Sequence, residues 1–219
     1  MLLNDHADSS FIIGVNGSLE SQQKTWKRPV HFIKTPFNSM DFRYLLPASS
    51  NAKVYFSMDD DVSISCKEMT KSFKIWQERS VGDIGPIVTY GPRGFDFIAK
   101  SSEYRYSDPE DAQLFSLALV GIAWIPRFYL ELYNTDMNLQ IHQMREIVRE
   151  KNNCDDIALN FIVSYFFPEF VPVAIEGDMR MNSPLSSQSN SKNHYIYRSE
   201  CLYRFTHIFG FNPLRIIVK

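Results

Sequence analysis

Asp59-Asp60-Asp61 is the run of side chains whose types and spacing most directly suggest chemistry in this sequence. Three adjacent carboxylates repel one another and are costly side by side without a cation. A hard divalent metal relieves that repulsion and can hold a diphosphate at the same time. The triplet follows directly on Val54-Tyr55-Phe56-Ser57-Met58, a run rich in β-formers and apolar on both faces, as a central parallel strand should be. In open α/β sheets ligands bind at the carboxyl ends of strands, which is where the triplet would sit. An acidic turn that merely caps the next helix would use the same residues, and phosphatases and other phosphoryl-transfer folds carry similar carboxylates. Position and charge alone leave these alternatives open.

Other candidates are less specific. Asp155 and Asp156 stand at an expected helix start, where carboxylates also serve simply to match the helix dipole. Arg43 is a suitable cation for a nucleotide diphosphate, and Asn16 and Asn38 lie in turn-like segments, but all three could equally be turn chemistry or surface charge. Arg198 by itself reads as a surface arginine before a helix. The five histidines (His6, His31, His142, His194, His207) form no ligand-spaced cluster and receive no role. Cys66, Cys154 and Cys201 lack the paired short spacing of a zinc site. One disulfide with one thiol left over fits the count, and the sequence alone does not decide it.

The elements that must position these residues alternate in type. Phe11-Ile12-Ile13-Gly14-Val15, residues 30–34 and residues 54–58 read as strands. Ser65-Cys66-Lys67-Glu68 has capping-box spacing, with Met69, Phe73 and Trp76 behind it on one helical face. Residues 114–125 read as one long buried strand. Ile141, Met144 and Val148 mark a helix ending near Asn152. Asn153 is expected to cap the next helix, with Ile157, Phe161 and Tyr165 on its buried face. Leu202, Phe205 and Phe209 outline the last helix, and residues 182–193, almost wholly Ser, Asn, Gln and Lys, are expected to be a mobile loop. Strands alternating with helices predict an α/β domain with a mostly parallel central sheet.

A chain of 219 residues is one ordinary domain that needs no staples, and a hydrophobic content of 44% excludes wholesale disorder. A net charge of -2 lacks the electrostatic footprint of a nucleic-acid binder. Nothing reaches the ~18 consecutive apolar residues of a membrane span, so membrane association is expected only through a segment absent from this chain. Residues 1–10 are polar and acidic and lack the basic and apolar regions expected of a signal peptide.

Three separated segments carry a family resemblance. The strand and triplet at 54–61, followed by a helix containing Phe73-Lys74-Ile75-Trp76, resemble the exostosin-type glycosyltransferases, glycosyltransferase family 64. Asn153-Cys154-Asp155-Asp156-Ile157-Ala158-Leu159-Asn160-Phe161 is similar to that family's Asn-Cys-Asp/Glu-Asp segment, and Tyr197-Arg198-Ser199-Glu200-Cys201-Leu202 to its Arg-Ser-Asp-Cys-Leu segment in plant members. Residues 117–132, with Val120-Gly121 and Tyr129-Leu130-Glu131, also fit. The resemblance spans residues 11–215 and implies a GT-A fold, a single Rossmann-like domain. It leads us to expect that the first strand of the family domain is missing.

The resemblance also implies roles. Asp61 would be the metal ligand, for manganese, with Asp59 and Asp60 contacting a UDP-sugar in a DXD motif. Asn16, Asn38, Arg43 and Asp155 would help hold the donor. Asp156 would be the catalytic aspartate, and Arg198 would stabilise the departing diphosphate. The implied reaction retains anomeric configuration and delivers a hexose or N-acetylhexosamine to a glycan or glycolipid hydroxyl, in the lumen of the Golgi or endoplasmic reticulum. Because the Asp156 and Arg198 segments must then converge, Cys154 and Cys201 beside them are expected to form a disulfide. Asn16-Gly17-Ser18 is also a glycosylation sequon, which conflicts with a donor role for Asn16. Two further readings are a non-catalytic or truncated member acting as a partner subunit of a homo- or hetero-oligomer, and a metal-dependent phosphohydrolase.

Overall fold

A computed structural model describes residues 11–14, 30–33, 35–46, 51–59, 61–90, 97–100, 103–106, 114–181 and 193–218. Asn16 with its sequon, Asp60, and residues 182–192 of the expected loop lie outside the described residues. So do Val15 and Lys34, the last residues of two expected strands. Strands β1 (Phe11–Gly14) and β2 (Val30–Ile33) pair in parallel, and β4 (Val62–Ile64) pairs antiparallel with β11 (Met179–Met181).

The larger sheet contains β3 (Val54–Met58), β5 (Val88–Tyr90), β9 (Ile122–Pro126) and β10 (Val173–Ile175) in the order β10-β5-β9-β3. β10 runs parallel to β5, whereas β9 is antiparallel to both β5 and β3. The expected mostly parallel sheet is therefore only partly parallel: β3, β5 and β10 share a direction and β9 is reversed between two of them. A parallel return needs a crossover. Between β5 and β9 the chain instead makes an antiparallel hairpin, β6 (Phe97–Lys100) and β7 (Glu103–Tyr106).

Residues 114–125 are not one strand. β8 (Leu114–Phe115) pairs with β12 (Ile217–Val218), and an irregular buried stretch follows before β9. Asn160 makes that stretch affordable inside the core. Its amide accepts from the Ala118 N–H and donates to the Ala118 carbonyl, both at 2.8 Å. The Thr89 hydroxyl donates to the Leu119 carbonyl at 2.5 Å. Backbone groups that a neighbouring strand would have paired are met by side chains.

Helix α1 (Cys66–Arg79) starts where expected, with Ser65 Oγ accepting from the Glu68 N–H at 3.2 Å. The Glu68 carboxylate faces Tyr90 and Lys71 and does not close the capping box. Met69 and Trp76 pack on Val54, Val88 and Trp124, one face of the sheet. Ile87, Ala123 and Ile125, alternating with them, face a larger core built with α2 (Arg127–Tyr133), α3 (Leu139–Lys151), α4 (Asp155–Phe166) and α5 (His194–Phe209). α4 is buried almost all round from Asp155 to Val163, as a helix through the middle of a core must be. Tyr165, expected on its buried face, is instead among the exposed large hydrophobics and lies against Phe209 and Phe211.

α3 and α4 are joined by a tight corner. Asn152 (φ 47) and Cys154 (φ 74) both adopt left-handed backbone, uncommon for residues other than glycine. Cys154, not Asn153, is the N-cap of α4. The Asn153 side chain turns to its neighbour's N–H and to α5 instead. Cys154 and Cys201 form the expected disulfide, joining this corner to α5 across a sequence separation of 47. A loop of that length corresponds to ~4 kcal/mol in the chain-entropy picture. Cys66 is free and exposed.

Candidate functional site

Five expected residues come together from four distant parts of the chain. Asp59 follows β3, Asp155 and Asp156 open α4, Arg198 lies one turn into α5, and Arg43 sits on a 3-10 helix, Met40–Tyr44. That 3-10 helix is capped by Ser39 and tied to the α3–α4 corner, where Asn152 Oδ1 accepts from the Met40 N–H at 2.9 Å.

Arg43 bridges two carboxylates. Its Nη2 donates to Asp59 Oδ1 at 2.8 Å and its Nε to Asp155 Oδ2 at 3.2 Å. The Tyr44 hydroxyl donates to the same Asp155 oxygen at 3.3 Å. Arg198 donates from Nη2 to Asp156 Oδ2 at 2.7 Å and from Nη1 to Asn153 Oδ1 at 3.1 Å. The chain of contacts therefore alternates in sign, with Asp155 and Asp156 adjacent at its middle. Asp59 is seated against Gly121: its N–H donates to the Gly121 carbonyl at 2.7 Å, and a Cβ on Gly121 would collide with its carboxylate.

Burial raises the Asp155 carboxyl to about 6; Arg43 and Arg198 oppose the rise, while Asp156 and Asp59 add to it. Asp59 is also raised, by burial first, against the pull of Arg43, with Asp61 and Asp156 pushing it up. Both guanidiniums titrate above their ordinary value: burial opposes their charge, and the facing aspartates outweigh it. Burial and Asp155 hold the Tyr44 phenol well above its usual range, which keeps it a donor.

Asp61, partly buried, is close enough to act on the Asp59 charge. Asp59, Asp61, Asp155 and Asp156 against Arg43 and Arg198 leave two negative charges in excess when all are ionised. Among the described residues, no three His, Cys, Asp or Glu side chains converge to hold a metal by themselves. A hard divalent cation fits such a place when one or two carboxylates and a diphosphate share its coordination. The cluster has the oxygen donors and the surplus charge for that.

Asn38 lies exposed in the loop before the 3-10 helix and does not take part in holding the cluster. Three contributors went unnoticed in the sequence. Asn153 was expected only as a cap and instead receives Arg198. His194, given no role, is buried with Nδ1 3.5 Å from Asn153 Nδ2, and burial followed by Arg198 lowers its pKa. Tyr104 lies under the Arg198 guanidinium, with Cζ 4.2 Å from the ring centroid. The residues flanking Tyr104, Glu103 and Arg105, are charged, and that alternation is the one sequence signal that could have marked it as inward-facing.

Residues 5–217 match the pattern of the Glycosyl transferase family 64 domain. The chain is 29% identical over 189 residues to the Exostosin-like-3 homolog of Caenorhabditis elegans, covering 85% of this chain and 22% of that protein. It is 26% identical over 193 residues to glucosamine inositolphosphorylceramide transferase 1 of Arabidopsis thaliana, covering 83% of this chain and 24% of the relative. With human Exostosin-like 2 it shares 27% identity over 200 residues, covering 85% of this chain and 58% of the relative. The chain thus spans only part of the length of these curated relatives.

Proposed function

We propose that this chain, which belongs to glycosyl transferase family 64, is a metal-dependent, retaining glycosyltransferase with a GT-A fold that uses a UDP-sugar donor. The observation that carries this reading is the alternating cluster Asp59–Arg43–Asp155 and Asp156–Arg198, assembled from segments far apart in sequence. An array with excess negative charge and two fixed guanidiniums suits a cation-bound diphosphate beside a centre that turns positive.

In this reading Asp61 is the protein's ligand to Mn2+, and Asp59 and Asp60 face the nucleotide sugar. When bound, the metal neutralises charge on the diphosphate leaving group. Arg43, held by Asp59 and Asp155, would meet the donor with its remaining N–H groups, and Asn38 and Asn16 would help to hold the donor. In the transfer, the bond between the anomeric carbon and a diphosphate oxygen breaks, a bond to the acceptor oxygen forms, and the acceptor's proton is released. Asp156, fixed by Arg198 and by accepting the Ile157 N–H at 2.8 Å, supplies negative charge to the oxocarbenium-like centre. Arg198 stabilises the departing diphosphate.

The donor sugar is a hexose or N-acetylhexosamine, and the acceptor a glycan or glycolipid hydroxyl. The names of the Arabidopsis and exostosin-like relatives motivate that choice. A lumenal Golgi or endoplasmic-reticulum location belongs to the same reading and is supported by the disulfide. Among the described residues no helix is long and apolar enough to cross a membrane.

Calorimetric titration of UDP, with manganese and with EDTA, tests the donor site. We expect micromolar binding that needs the metal and is lost in Asp61→Asn. A folded protein that binds UDP in neither buffer would replace this reading with that of a non-catalytic partner subunit.

A further inference from the structure

Arg198 is 5% exposed and is held on three sides by different means. Its two terminal nitrogens donate to Asp156 and Asn153, and its Cζ lies 4.2 Å from the Tyr104 ring centroid. Its Nε has no hydrogen-bond partner among the described residues. The Tyr104 ring is itself buried, edge-on to His194 and tilted against Tyr195, with centroids 6.3 and 6.0 Å away. The Tyr104 N–H donates to Ser199 Oγ at 2.9 Å, which pins strand β7 to α5 at the residue following Arg198.

We propose that Tyr104 is the positioning residue for Arg198, and that the β6–β7 hairpin is part of the reaction centre through this ring. A second carboxylate in its place would also fix the guanidinium, but it would consume N–H groups and cancel the charge. An aromatic face attracts the cation and fixes the plane of its fork without accepting an in-plane hydrogen bond. Arg198 is therefore oriented without a second carboxylate, and its Nε–H remains available for an anionic oxygen. This inference rests on the proposed role of Arg198 at the departing diphosphate. Charge on that group develops as the bond breaks, so misorientation should lower kcat and leave donor KM nearly unchanged.

Tyr104→Phe and Tyr104→Leu in the full chain, assayed with UDP-sugar and manganese alongside thermal melts, test it. Tyr104→Phe should stay within about twofold of wild type in kcat, whereas Tyr104→Leu should lose about tenfold in kcat with KM within about twofold, the loss expected from a desolvated cation–π contact. Unchanged kcat in a folded Tyr104→Leu variant, or an equal loss in Tyr104→Phe, would overturn it. A second readout needs no substrate. The Arg198 Nε–H resonance should show a ring-current shift that survives Tyr104→Phe and disappears in Tyr104→Leu. If wild type turns over no UDP-sugar, the proposed function fails, and this shift still decides whether Tyr104 positions Arg198; absence of the shift overturns the proposal.

Discussion

Two buried aspartate–arginine assemblies meet the same 3-10 helix, through Asp41 and through Arg43, and differ in how fully their charge and hydrogen bonds are used. Asp41 is fully buried and meets more donors than one carboxylate usually does. Oδ1 accepts from the Tyr133 hydroxyl at 3.1 Å and Arg145 Nε at 3.0 Å, and Oδ2 from Arg145 Nη2 at 3.3 Å and Arg149 Nε at 2.8 Å. This assembly fastens the 3-10 helix to α2 and α3 and has nothing left to offer a ligand. The assembly around Asp155, Asp156 and Arg198 has surplus negative charge, a carboxyl raised to about 6 and a buried Nε–H without a partner among the described residues. A buried carboxylate is thus a poor marker of function by itself. Unspent charge and hydrogen-bonding capacity are the better marker.

Neutralising each aspartate gives the sharpest contrast. Asp156→Asn should lower kcat about a thousandfold while UDP affinity and Tm change little, because removing one negative charge brings its cluster nearer to balance. Asp41→Asn leaves two guanidiniums facing each other around a neutral group and should cost about 3–5 kcal/mol, seen as a fall in Tm, with kcat per folded molecule preserved. Equal Tm losses in both variants would erase the distinction, and lost UDP affinity in Asp156→Asn would move that residue to a binding role. Gly121→Ala should act between these extremes. Its new methyl displaces the Asp59 carboxylate and should weaken metal-dependent UDP binding about tenfold, measurable by calorimetry; unchanged affinity would remove Asp59 from the donor site.

The smallest expected effect is on stability against pH. Asp155 titrates at about 6 when folded against an ordinary value of 3.8, so folding takes up a proton in that window. Its contribution to stability therefore falls as pH rises from about 4 to about 6 and is level above. The Tm difference between wild type and Asp155→Asn, in EDTA, should drift by a few degrees across that range. A constant difference would mean that Asp155 is less desolvated than its surroundings imply.

Helical periodicity made α1, α3, α4 and α5 legible, since Met69 and Trp76, Ile141 and Val148, Ile157 and Phe161, and Leu202 and Phe205 do lie in the core. Residues 114–125 were misread because apolar residues look alike in a strand and in a buried loop. The difference lies in Asn160, whose amide pairs with Ala118 from 42 positions away. The reversal of β9 is likewise set by its pairing with β3 and β5, a tertiary matter that its own residues do not announce. The grouping of Asp59, Arg43, Asp155, Asp156 and Arg198 was foreseen from the family resemblance, which carried what spacing alone could not. Tyr104 and His194 were missed because their meaning comes from Arg198, a residue more than 90 positions from one and one turn along the same helix from the other.

The Cys154–Cys201 bond carries a consequence for the life history of the molecule. It fastens the corner preceding Asp156 to the helix that bears Arg198, so the geometry between those two side chains is secured by a covalent bond that folding alone does not supply. A chain matured under reducing conditions would keep its core and lose that tether. Under the proposed function, competence for transfer would then depend on oxidation of this pair as well as on what the residues are, and the state of the bond would record the redox conditions in which each molecule folded.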